Sequence, residues 1–133
     1  MNKLATLFPM LLVAACGDDG GTGTPVDSGG SNMDAGSAAK VVAVACPATP
    51  AATVMTVNGT DSFMPMNTTI STGGVVKFVM STLHNVEPNP IAPMSDPNTR
   101  VNFGETKCLR FDAAGAYGIY CTTHSFAGTI TVQ

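Results

Sequence analysis

Tryptophan is absent from this 133-residue chain, histidine occurs only twice, and charged residues make up 11% of it. Six Lys and Arg against nine Asp and Glu leave a formal net charge of −3. No basic face can therefore form to neutralise phosphates, which excludes a nucleic-acid partner. No segment keeps the i, i+3, i+4 spacing of apolar residues beyond about one turn, which argues against a helical bundle. The longest apolar stretch, 4–15, is shorter than the about 20 residues that a membrane-spanning helix needs. With two histidines, any imidazole-based chemistry is confined to a single centre.

The polar and apolar residues that are present divide the chain in three. Residues 1–15 have a short basic start at Lys3, an apolar run and a small-residue exit at Ala14-Ala15, the pattern of a cleaved leader. The string Leu12-Val13-Ala14-Ala15-Cys16 resembles the lipobox of bacterial lipoproteins. That resemblance implies acylation of Cys16 and a membrane anchor, since each buried methylene contributes about 0.8 kcal/mol. Residues 16–40 are rich in Gly, Ser, Thr, Ala and Asp, and carry no apolar period. Such a composition buries too little surface to offset its ordering entropy and predicts a disordered tether.

Residues 41–133 change character. Short apolar runs with period-2 alternation recur at 41–44, 53–57, 75–80, 106–111, 117–121 and 130–132. Asn58-Gly59 is a hairpin signal and Gly73-Gly74 another stop. Strands at this spacing predict an all-β domain, an antiparallel sandwich or barrel. The stretch 87–98 contains Pro88, Pro90, Pro93 and Pro97, so it reads as a surface loop beside His84 rather than a central strand.

Chemistry concentrates at two loop signals. Cys121 and His124 are three residues apart on a stretch that ends in Gly128, and His84 lies in a second loop, Leu83-His84-Asn85. One thiol and two imidazoles are the donor types of a trigonal copper site. Zinc also accepts Cys and His, so residue types alone leave the metal open. A Cys121–His124 nucleophilic pair has no evident orienting third group and leaves His84-Asn85 unexplained.

The order of these motifs resembles the cupredoxin family, the small blue-copper domains that include plastocyanin and amicyanin. The resemblance rests on Phe63-x-Pro65, on Gly74 before a Val-rich run, and on His84-Asn85. It also rests on Gly115-x-Tyr117-x-x-Tyr120-Cys121-x-x-His124 ahead of Gly128-Thr129-Ile130. It implies a Greek-key β-sandwich and one type 1 copper ion bound by His84, Cys121 and His124. Asn85 is then expected to tie the two loops by hydrogen bonding, at Thr122. The resemblance further implies a one-electron carrier rather than an enzyme, since two histidines cannot supply an additional catalytic copper centre. A copper-handling module for storage or delivery is the alternative.

One departure from the family stands out. After His124 come Ser125, Phe126, Ala127, Gly128 and Thr129, so Ala127 or Thr129 occupies the place of the usual axial Met. A thioether would have to arrive from Met64, Met66 or Met94, or a weak carbonyl from Leu83. Without a thioether the ion is expected to be nearly three-coordinate, to favour Cu(I) and to have a potential above that of a Met-ligated relative, since the axial ligand tunes the potential.

With Cys16 acylated and Cys121 on the metal, Cys46 and Cys108 remain, and a chain exported to an oxidising compartment should pair them. A closed loop of this length stabilises by about 3–4 kcal/mol in the chain-entropy model. The sum of these expectations is a monomer on the periplasmic side of the cell envelope, held by lipid and weakly favouring the outer membrane. Its partner would be a redox protein such as a respiratory cytochrome or oxidase.

Overall fold

Alternating inward and outward side chains generate nine strands among the described residues, 40–133 of this computed structural model. The expected leader, Cys16 and all of the tether but Lys40 lie outside the described residues. The strands are β1 (Val41–Val44), β2 (Ala52–Val57), β3 (Thr60–Met64), β4 (Asn67–Ile70) and β5 (Val75–Val79). They continue with β6 (Glu87–Pro88), β7 (Thr106–Phe111), β8 (Gly115–Tyr120) and β9 (Ala127–Val132). One sheet has the order β1-β7-β5-β2-β3 and the other β4-β9-β8-β6. The domain is a two-sheet β-sandwich.

Period 2 decides what lies between the sheets. In β5, Val76 and Phe78 are buried while their neighbours are half-buried; in β9, Ile130 and Val132 point inward. Together with Val54, Phe63, Ile70, Leu109, Phe111, Tyr117 and Ile119 they form one core. Full burial of each such side chain contributes about 1.5–3 kcal/mol. Tyr117 keeps its polar end satisfied, because its hydroxyl donates to the Ala113 carbonyl at 2.9 Å. Burial, reinforced by Asp96 and Asp112, raises the pKa of that phenol above its ordinary value.

The pairing differs from a purely antiparallel sandwich. β2 runs parallel to β5, and β4 parallel to β9. Alternation within a strand fixes its faces but carries no information on partner direction, so the sequence could not distinguish these pairings. The proline-rich stretch likewise contains a short strand, β6, which pairs with the end of β8 through Glu87↔Tyr120 and Pro88↔Ile119. It sits at a sheet edge, where a missing N–H is tolerated. The remainder of that stretch lies over β8: Met94 bridges to Tyr117, and Ala92 and Asn89 fill the space a side chain at Gly118 would need.

Cys46 and Cys108 form the expected disulfide, 62 residues apart in sequence. It ties the segment after β1 to β7, the strand on which β1 already pairs. Asp96 secures the other end of β1 by accepting the Lys40 and Val41 amides at 2.9 and 3.1 Å.

Candidate metal centre

The two loops that carry His84 and His124 meet at one end of the sandwich because β5 and β8 deliver them there. The loop after β5 is fastened from β2. Thr56 Oγ1 accepts the Ser81 amide at 2.9 Å, and Asn58 Nδ2 donates to Thr82 Oγ1 at 3.2 Å. Ser81 in turn lies 2.9 Å from His84 Nδ1 through its Oγ. His84 is 1% exposed, so this bond fixes a buried ring. For Nε2 to offer a lone pair, Nδ1 must hold the proton and donate it to Ser81, which selects one tautomer.

The second loop closes on itself. The Cys121 amide donates to the Phe126 carbonyl at 2.9 Å, and the Ser125 amide donates to the Cys121 carbonyl at 3.0 Å. Ser125 takes φ 57°, a left-handed conformation that a non-glycine residue adopts at some cost. Gly128, just beyond, lies against the Met66 carbonyl; a Cβ there would stand 2.5 Å from that oxygen. The loop thus enters β9 at a place where only glycine fits.

Asn85 joins the loops. Its Oδ1 accepts the Thr122 amide at 3.0 Å and the Thr122 hydroxyl at 3.1 Å. The Asn85 side chain is buried while Thr122 is exposed, so these bonds are shielded from water on one side.

The structure brings His84 and His124 together, with ring centroids 4.8 Å apart and planes at 71°. Phe126 packs edge-on to His84 at 5.2 Å and to Phe63 at 4.7 Å. Cys121 is a free, fully buried thiol counted within the core. The close group of donor atoms is a different trio, Asp61, His84 and His124, whose ligand atoms all lie within 4.8 Å of one another. Asp61 Oδ1 is 3.6 Å from His84 Nε2 and 3.9 Å from His124 Nδ1.

Asp61 is a residue that sequence reasoning missed. It follows the Asn58-Gly59 turn on β3, and the one available signal was that it is the sole acid between Lys40 and Val86. Met94, one of the possible thioether donors, packs over Gly115 at the opposite end of β8 from Cys121. A six-residue strand spans about 20 Å, which removes Met94 as a ligand. Leu83 is 52% exposed and Met66 53%.

No family model and no curated protein matches the sequence. Solved structures do match. Amicyanin from Paracoccus versutus superposes with a TM-score of 0.53 at 20% identity, over 71% of this chain and 98% of that one. The chain has the cupredoxin fold. A reduced Cu(I) form of an amicyanin mutant gives a TM-score of 0.53 at 19% identity, and an oxidized mutant gives 0.54 at 19%. Each covers 71% of this chain and 99% of the other. At such identities the likeness is one of architecture.

Copper fits the donor set of this domain. Two imidazole nitrogens and a carboxylate oxygen converge within a few ångströms of one another. A soft thiol lies at the base of the loop that carries one of those imidazoles. Nitrogen and sulfur donors together suit a metal that uses both Cu(I) and Cu(II).

Proposed function

We propose that the domain is a one-electron carrier that holds a single type 1 copper ion through His84, His124 and the Cys121 thiolate. The observation that carries this reading is the convergence of His84 and His124, on loops tied together by Asn85 and Thr122, in a cupredoxin fold whose one free thiol among the described residues, Cys121, starts the His124 loop. When bound, copper supplies a one-electron couple between its two oxidation states. The protein's residues supply the constraint. Ser81 orients the buried His84, Asn85 holds the base of the Cys121 loop, and Phe126 packs edge-on against the His84 ring.

His124 offers the route to a partner, since its side chain is 31% accessible while that of His84 is closed. Around the same loop, Ile91 at 89% exposure joins Pro90, Tyr120 and Ala127 at a shallow, mainly apolar hollow. A redox protein such as a respiratory cytochrome or oxidase would dock here. The lipobox-like Cys16 and the tether behind it would keep the domain at the periplasmic face of a membrane. An open Asp61, 63% accessible, also favours a second reading, in which the site takes up and releases copper as a store or delivery module.

Loading the protein with Cu(II) and recording its visible spectrum tests the reading. An intense thiolate-to-copper absorption is expected, present in the native protein and lost in Cys121→Ser. A colourless Cu(II) complex would refute the thiolate-bound site. Rapid reduction of the loaded protein by a cytochrome separates the carrier from the store.

A further inference from the structure

The carboxylate of Asp61 has no role in the cupredoxin reading above, yet its Oδ1 lies within 3.9 Å of a ring nitrogen on each histidine. We propose that Asp61 supplies an oxygen directly to the copper ion held by His84 and His124, at the position that Ala127 and Thr129 leave without a local donor. The inference rests on the copper reading and extends it.

Distance supports ligation. Nitrogen and oxygen donors about 2.0–2.2 Å from one small divalent ion, spread tetrahedrally, lie about 3.3–3.6 Å from each other. Asp61 Oδ1 stands 3.6 Å from His84 Nε2 and 3.9 Å from His124 Nδ1, within a few tenths of an ångström of that spacing, and all three ligand atoms lie within 4.8 Å of one another.

The position of Asp61 is also built. Its hairpin is fastened to the His84 loop by Asn58 on Thr82 and by Thr56 on Ser81. Because β2 lies beside β5, the hairpin tip and the His84 loop leave the sheet as neighbours. Among the described residues, the only ion-pair partners of Asp61 are these two histidines. Among the described residues no Lys or Arg pairs with it, and a bound cation would neutralise it.

The consequence is electronic. A carboxylate is a hard, anionic donor, and it holds Cu(II) more tightly than Cu(I). Asp61 therefore opposes the high potential expected of a site that has merely lost its axial Met. It lowers the potential and leaves the ion with one ligand near solvent.

The test uses the full folded protein, its Asp61→Asn variant and, as a second removal, Asp61→Ala. Cu(II) and Cu(I) affinities are measured by competition, and the reduction potential by voltammetry. Pulsed EPR is recorded on protein labelled with ¹³C at the aspartate carboxylates. The native protein should show a carboxyl-carbon coupling that both variants lose. Cu(II) affinity should fall about tenfold while Cu(I) affinity holds, which corresponds to a rise of about 59 mV for one electron. An absent coupling overturns the proposal, even if the potential moves, because a through-space charge alone would do that. Unchanged affinities in both variants overturn it as well. The outcomes also separate the two readings. A coupling lost on removing Asp61, in a protein with no thiolate absorption, upholds Asp61 and defeats the carrier. The absorption without the coupling does the reverse.

Discussion

His84 and His124 are the same residue type, 4.8 Å apart, and they are held in opposite ways. His84 belongs to the core: it is 1% exposed, its Nδ1 faces Ser81, and its loop is fastened twice to the β2–β3 hairpin. His124 belongs to the surface. Its ring is 31% accessible, and its loop is closed by its own backbone bonds and one side chain, Asn85. One histidine is thus part of the fold and the other is carried by a loop resting on it. The proposed copper site would have one fixed wall and one face turned outward.

Replacing each histidine by alanine breaks the comparison most sharply. Both variants should lose copper binding, but only His84→Ala should damage the metal-free protein. Removing a buried ring that packs on Phe126 leaves a cavity and takes one of two partners from the Ser81 hydroxyl, a cost of about 2–4 kcal/mol. His124→Ala removes an exposed group and should stay within about 0.5 kcal/mol. Urea denaturation of the apo proteins measures both. Equal losses in the two variants would show that the asymmetry has no energetic content.

Asn85 is where the two regions are coupled, and Asn85→Ala is the next largest effect. The Thr122 amide and hydroxyl lose a shared, shielded acceptor, at a cost of about 1–2 kcal/mol. Amide exchange at Thr122 should accelerate more than that at His84, whose own amide bonds to the Ser81 carbonyl within its loop. Exchange that rises equally in both loops would place the coupling elsewhere.

How much of this was legible beforehand follows the same division. His84, Cys121 and His124 could be singled out because the chain has two histidines and a Cys-x-x-His spacing, both local properties. Alternation gave the strands, and counting cysteines gave the Cys46–Cys108 bridge. The parallel pairings β2–β5 and β4–β9 were not legible, because direction depends on how the chain returns rather than on any residue within the strand. Asp61 was missed for the same reason. Its neighbours in sequence are ordinary turn residues, and it meets His84 only because β2 and β5 are adjacent in the sheet. Ser81 carries no local signal of its role either, although its hydroxyl makes the one polar contact of the buried ring's Nδ1 among the described residues.

The smallest effect tests whether the surface loop is under tension that the buried loop lacks. Ser125 holds φ 57°, where an L side chain costs about 1–2 kcal/mol relative to glycine. Glycine gives back part of that relief through the greater freedom of its unfolded chain, about 0.5–1 kcal/mol. Ser125→Gly should therefore stabilise the apo protein by about 0.5–1 kcal/mol, read as a higher urea midpoint with an unchanged slope. The side chain of Ser125 makes no hydrogen bond among those of the described residues, so nothing offsets the gain. Because the Ser125 amide still reaches the Cys121 carbonyl, the loop keeps its path and the copper spectrum its position. A spectrum that shifts while stability stays constant would mean that the strained turn serves the metal rather than the fold. The carrier loop would then be set by its ligands, not by the sheet beneath it.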